Sequence, residues 1–311
     1  MSEIIPEGFS WSASRHELFE RCPRAYFFHY YLALGRVRGV DRQRVAEAKR
    51  LRSMTNIWMW IGSCVHDTIE GLLREAHAKG RRPSVEEASE RMLAQMREDY
   101  RSSKRAPEDP RAFTASKVRF HEHEYAQDPG RDVWQRAAAD AKQMVVDFDR
   151  LDYLDVVAGL SGERMLGIEE LSKWFFEGCP VWVKIDLAYR DEDGRIHVVD
   201  WKTGKSVRED DPVQLLGYAT YANDRWNHGD DGLSVREVYL RHGQEKPCEL
   251  DDGKLAGARD KILESIRGML STLEDPNQNV AIEDDFPTAP DTKKCSRCFF
   301  RGICPEMQES A

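Results

Sequence analysis

Residues 196–205 read Ile-His-Val-Val-Asp-Trp-Lys-Thr-Gly-Lys. The β-branched residues place the segment in a strand, expected over 195–202. Val198 and Val199, directly before Asp200, mark that strand as central and buried. Side chains two apart on a strand share a face, so Asp200 and Lys202 project together. A carboxylate and an ammonium at the end of a buried strand need a metal ion or another charge beside them, because an uncompensated charge is costly out of water. The triplet Asp-x-Lys alone is common, and on an open surface it is an ion pair of small value. Its surroundings decide.

Two more strand-like runs precede it, 168–176 and 181–189, and Asp191-Glu-Asp-Gly194 forms an acidic turn that predicts a hairpin between the second and third strands. In a natural hairpin register Asp186 lies beside Asp200 and Lys202. Two carboxylates can then share a divalent cation, with an amine nearby to orient water or steady developing negative charge. Phosphodiester hydrolysis needs that combination. Farther along, Asp210 or Asp211 caps a helix with Pro212 at its first position, running to about Asn223. A strand over 235–241 and a helix over 254–274 follow. Upstream, a helix over 58–79 carries Ile57, Ile61, Val65, Ile69 and Leu72 on one stripe, with His66 and Glu70 a turn apart on an adjacent face. Ser14-x-x-Glu17 reads as a capping box opening a helix with Leu18, Phe19 and Cys22, and Pro23 opens the next. Residues 83–157 are polar and helical in pattern, an insertion rather than an independent domain.

The chain has 311 residues, 41% hydrophobic and 32% charged, which suits one large domain or a core with a substantial insertion. A net charge of −9 argues against a protein that coats nucleic acid non-specifically, but clustered metal-binding carboxylates also lower the charge. No apolar run approaches the roughly 20 residues of a membrane span, and Met1 to Gly8 lacks a secretory pattern, so no membrane is expected and the expected location is cytoplasmic.

Seven cysteines occur, and Cys295-x2-Cys298-x5-Cys304 has metal-ligand spacing. A fourth ligand is needed, and Cys22 is the candidate. Four thiolates suit a [4Fe–4S] cluster or a tetrahedral zinc equally by spacing. Cys64, Cys179 and Cys248 read as ordinary buried cysteines. Between Arg36 and Arg52, seven Lys/Arg stand against Asp41 and Glu47. That strip suits a phosphate backbone and equally a solvated helix face; Trp58 and Trp60 beside it suit base stacking and equally a core.

Several segments together resemble one family. "HVVDWKTGK" (197–205) resembles the signature strand of RecB-type PD-(D/E)XK nucleases, and "VKIDLAY" (183–189) the strand before it, with Val183 where the family often has glycine. Gln214-Leu-Leu-Gly-Tyr218 is similar to the family's Q-x3-Y helix, and "IGSCVHDTIEGLL" (61–73) to its G-x3-H helix. "CPRAYFFHY" (22–30) and "CSRCFFRGICP" (295–305) resemble the cysteine segments of its iron–sulfur members, among them the CRISPR-associated exonucleases and the AddB nuclease domain.

The resemblance implies an α/β fold with a restriction-endonuclease-like core, a mixed sheet flanked by helices, and an iron–sulfur staple joining the two ends. It implies Mg2+ or Mn2+ held by His66, Asp186 and Asp200, catalytic assistance from Lys202, and an acidic first-strand residue, Glu169 in preference to Glu170. Gln214 and Tyr218 would support the site or touch DNA. Cys22, Cys295, Cys298 and Cys304 would hold a [4Fe–4S] cluster. Segments are expected at 1–56 (cluster segment and basic strip), 57–160 (His66 helix and insertion), 161–250 (nuclease core) and 251–311 (helix and cysteine cluster). The expected activity is metal-dependent DNA hydrolysis, an exonuclease acting on single strands or duplex ends in recombination, repair or phage DNA processing. A non-catalytic DNA-binding scaffold is the alternative. With no G-x4-G-K-[ST] motif in the chain, any helicase or recombination motor would be a partner.

Overall fold

The computed structural model describes residues 5–105, 118–226, 232–289 and 291–308. In chain order the helices are α1 (Ala13–Arg21), α2 (Pro23–Tyr30), α3 (Arg42–Arg52), α4 (Ile57–Lys79), α5 (Val85–Arg105), α6 (His121–Glu124), α7 (Arg131–Asp149), α8 (Tyr153–Gly159), α9 (Val213–Trp226), α10 (Asp252–Leu270), α11 (Thr292–Ser296) and α12 (Pro305–Gln308). The strands of the main sheet are β1 (Met165–Phe176), β2 (Cys179–Arg190), β3 (Ile196–Lys202), β4 (Leu233–Tyr239) and β5 (Gln244–Cys248). They form one five-stranded sheet in the order β1-β2-β3-β4-β5. β2 pairs antiparallel with β3, β3 parallel with β4, and β4 antiparallel with β5, so the sheet is mixed. The fold is α/β, the sheet flanked by helices, as the resemblance implied. Among the described residues no helix is long and apolar enough to cross a membrane.

The chain divides into two compact bodies. One comprises residues 55–172 and 184–258; the other comprises 1–54, 173–183 and 259–311. β1, β2 and α10 contribute residues to both.

In the first body α4 is the organising helix. Asn56 caps it, its side chain accepting from Trp58 N and Met59 N at 3.0 Å each, and Glu122 Oε1 accepts from Ile57 N at 3.1 Å. Gly80, at φ 62°, ends it in the left-handed conformation that glycine adopts without strain. Its buried stripe, Ile57, Ile61, Val65, Ile69 and Leu72, joins one core with Met144 and Phe148 of α7, Leu154 of α8, and Val199 and Trp201 of β3. The described residues of the segment 83–157 therefore contribute to the same core as the sheet. Trp201, 1% exposed, meets Phe148 and Tyr153 edge-on at ring separations of 5.1 and 4.8 Å. Burying such a ring contributes roughly 1.5–3 kcal/mol and holds β3 in place. Because strand residues alternate, this fixes Asp200 and Lys202 on the opposite face.

In the second body α1 begins one residue before the expected cap. Ser12, not Ser14, accepts from Arg15 N, at 3.2 Å. Pro23 does open α2, with Cys22 at the junction. Trp11 bonds to the outer part of β2 through Trp11 N to Pro180 O and Trp182 N to Trp11 O, both at 2.8 Å. Buried Tyr26, Phe27, Tyr31 and Phe286 pack ring against ring.

Local boundaries differ modestly from expectation. The 235–241 strand runs Leu233–Tyr239 and the 254–274 helix runs Asp252–Leu270. β5 was not anticipated: Gln244-Glu-Lys-Pro-Cys248 has almost no β-branched or apolar content.

Candidate functional site

Asp186 on β2, Asp200 and Lys202 on β3, Glu169 on β1 and His66 on α4 come together in the first body. The β2–β3 register pairs Leu187 with Val199, and one step beyond it Asp186 Oδ2 accepts from Trp201 N at 2.6 Å. Glu169, Asp186 and Asp200 are only 6%, 4% and 2% exposed. His66 Nδ1 lies 2.8 Å from Glu169 Oε1 and 3.4 Å from Asp186 Oδ1. These three residues each offer one donor atom within 4.8 Å of the others, a spacing fit for one metal ion. Asp200 stands outside that triad, its Oδ2 ion-paired with Lys202 Nζ.

Glu169 gets there by a break in the strand. Its φ is +49°, a left-handed backbone that costs a non-glycine residue roughly 1–3 kcal/mol. Neighbouring strand residues normally point to opposite faces, yet Ile168 and Glu169 are both buried and Glu170 is exposed. The kink turns the Glu169 carboxylate inward, as strand irregularities beside active sites often do.

Lys202 is held from three sides. Besides Asp200, its Nζ donates to Gln214 Oε1 at 2.9 Å and lies 3.6 Å from Glu237 Oε1. Gln214 Nε2 donates to Tyr218 Oη at 2.9 Å, and Tyr218 Oη donates to Lys184 O at 2.5 Å. The i, i+4 pair on α9 thus forms a brace from the amine back to the strand that carries Asp186.

Glu237 and Lys184 escaped the sequence reading. Glu237 is fully buried on β4, in register with Asp200, and Tyr239 Oη donates to its Oε2 at 2.7 Å. Its Oε1 accepts no hydrogen bond among the described residues. The available signal was slight, an acidic residue beside Arg236 within the strand-like run Val235–Tyr239. Lys184, two residues before Asp186 and on its face, ion-pairs with Glu169 Oε2 at 2.7 Å.

The family model of the PD-(D/E)XK nuclease superfamily matches residues 10–305. The chain belongs to that superfamily. No curated protein sequence matches it. For a PD-(D/E)XK nuclease, a class that uses divalent metals, the electrostatics of the site are coherent. Burial, reinforced by the Asp186 charge and opposed by Lys202, pushes the Asp200 carboxyl up to about 7. Burial likewise raises Asp186, against the pull of His66. Burial lowers His66, but hydrogen bonds to Asp186 and Glu169 outweigh it and raise the imidazole to about 10. Burial also opposes the charge on Lys202, and Asp200 overcomes it. Three crowded buried carboxylates recruit every nearby cation, and a divalent ion would relieve them.

Cys22, Cys295, Cys298 and Cys304 line one cavity in the second body, with Arg24, Phe28 and Arg301. No three of their sulfurs lie within 4.8 Å of one another among the described residues. Burial pushes the Cys298 thiol up to about 11. Cys179 and Cys248 are buried and Cys64 is half-buried, none of them at that cavity. The basic strip is largely tied down: Arg44 pairs with Glu283 at 2.7 Å, Arg50 with Glu47 at 2.6 Å and Arg38 with Asp275 at 3.3 Å, while Arg36 donates to Gly8 O. Trp60 is a core residue, 5% exposed, donating to Asp99 at 2.9 Å, whereas Trp58 is 51% exposed.

Proposed function

We propose that this chain is a metal-dependent deoxyribonuclease, an exonuclease hydrolysing DNA phosphodiester bonds in recombination, repair or phage DNA processing. The observation that carries the reading is the convergence of Glu169, Asp186, Asp200, His66 and Lys202, all buried or half-buried, in one site. Mg2+ or Mn2+, held by His66, Asp186 and Asp200, would supply the positive charge that polarises a phosphate ester, with the Glu169 carboxylate beside His66 and Asp186 as a further ligand. Lys202 brings a fixed ammonium to the developing negative charge, and Gln214 and Tyr218 act through it as positioning residues.

The same reading gives the cysteine cavity a [4Fe–4S] cluster. Spacing suits zinc equally; what supports a cluster is that the four cysteines line one cavity and that their segments resemble those of iron–sulfur nucleases. The cavity's position in a body built from both ends of the sequence suits a structural staple. Anaerobically purified protein should be brown, with absorbance near ~400 nm, and Cys298→Ser should lose the colour and the iron. A colourless protein containing zinc would replace the cluster assignment.

The test of the activity is digestion of end-labelled single- and double-stranded DNA with Mn2+, wild type against Lys202→Ala. Cleavage by the wild type alone supports the reading, and the product ladder reports polarity and mode. A folded, cluster-loaded wild type that cuts neither substrate refutes it in favour of a DNA-binding scaffold.

A further inference from the structure

We infer that Trp58, with Lys205 over its ring, is a stacking platform for an unpaired base, so the substrate enters the site as a single-stranded segment. The inference rests on the nuclease reading and adds the strandedness of the substrate.

Trp58 and Met59 open α4 and are 51% and 54% exposed, the most exposed large apolar residues of that helix. Lone exposed apolar residues are ordinary; this one has a place and a partner. His66 lies on the same helix two turns on, about 12 Å along the axis, with Met59 and His66 one heptad apart on one stripe. That distance corresponds to roughly two to four nucleotides of one strand.

The partner comes from the catalytic strand. Lys205 Nζ sits 5.2 Å from the Trp58 ring centroid, three residues beyond Lys202. Its loop is pinned, not loose: Arg241 Nε donates to Thr203 O at 2.8 Å, and His242 Nε2 lies 2.8 Å from Lys205 O. Gly62, between Trp58 and His66, lets this loop approach the helix, since a Cβ there would stand 3.3 Å from Thr203 Oγ1. A rigid loop thus holds an ammonium over an exposed indole beside the site.

The chemistry points to a base and its phosphate rather than phosphate alone. The amides of the first three helical residues are already taken, Ile57 N by Glu122 and Trp58 N and Met59 N by Asn56, so these three are not open to an anion. What remains is a π-face for stacking and one cation for the adjoining backbone. A paired base shows its face only to its stacked neighbours, so a duplex cannot use an indole this way until a strand is splayed.

The test is fluorescence anisotropy with labelled oligothymidylate and with a blunt DNA hairpin, in a Lys202→Ala background that binds without cutting. Trp58→Ala should weaken oligothymidylate binding by about tenfold or more and leave the hairpin within about twofold. Trp58→Phe should keep most of the affinity. Lys205→Ala should weaken single-strand binding and reduce the slope of log affinity against log salt by about 0.7. Oligothymidylate affinity unchanged in Trp58→Ala, or an equal loss on both ligands, overturns the platform and leaves the nuclease reading standing. A parent protein that binds neither ligand and a wild type that cuts neither overturn both.

Discussion

Replacing Asp200 with asparagine removes a charge and almost no volume, which makes it a clean probe of how the carboxylates of the site are balanced. Asp200 is 2% exposed, and burial together with the Asp186 charge raises its carboxyl from 3.8 to about 7 against the pull of Lys202. A carboxyl raised on folding contributes stability that is fully present below the unfolded value and is lost as pH climbs through the folded one. The gap is about three pH units, and at about 1.4 kcal/mol each the ionised carboxylate costs the metal-free fold at most about 4 kcal/mol above pH 7. Asparagine carries no such charge. Lys202 loses its nearest anion but keeps Gln214 and Glu237, so the expected gain at pH 8 in chelator is about 2–4 kcal/mol. For a chain of this size that is a rise of roughly 3–6 °C in Tm, shrinking by more than half by pH 5. Calorimetry with and without chelator measures it, and Mn2+ should stabilise the wild type more than the variant. A variant no more stable than wild type at pH 8 without metal would refute the claim that these carboxylates are strained for want of a cation.

Metal binding must displace protons from Asp200, at about 7, and from His66, at about 10, so the Tm increase given by saturating Mn2+ should grow from pH 6 to pH 8. An increase that is flat or falls with pH rules this pair out as ligands. Tyr218→Phe breaks the brace from Lys202 to Lys184 O and should lower kcat about tenfold with KM for DNA nearly unchanged; a change in KM alone would place Tyr218 in substrate binding instead. Arg15, buried under Phe9 and Tyr30 and donating to Tyr26 and Tyr31, makes no ion pair among the described residues, and Arg15→Ala should cost about 3 kcal/mol in denaturant unfolding. A loss under 1 kcal/mol would show that the cage collapses without penalty.

Much of the site was legible because its residues carry their spacing along the chain. Asp200 and Lys202 share a face by strand alternation, and the acidic turn at 191–194 fixed the partner of β3, hence the place of Asp186. What was hidden depends on contacts across the sheet. Glu237 becomes a site residue only through the parallel pairing of β4 with β3, which no local pattern announces. Glu169 over Glu170 was a choice of parity, and the answer lies in a backbone kink at φ +49° that breaks parity for both neighbours. The pairing of the basic strip was hidden for the opposite reason: its charges are conspicuous in the sequence, while the acids that meet Arg38 and Arg44 lie more than 230 residues away.

The body that holds the cysteine cavity is stitched from three separated stretches, 1–54, 173–183 and 259–311, while the body that holds the carboxylates lies almost wholly between them. During synthesis the residues of the nuclease site are all available once residue 258 has been made. Cys22 by contrast waits for Cys295, Cys298 and Cys304, whose recruitment closes a loop of more than 270 residues. Assembly of that cavity therefore follows synthesis of every residue of the carboxylate site, and a chain cut short between residues 258 and 295 would carry the full set of those side chains but an unfinished cysteine cavity.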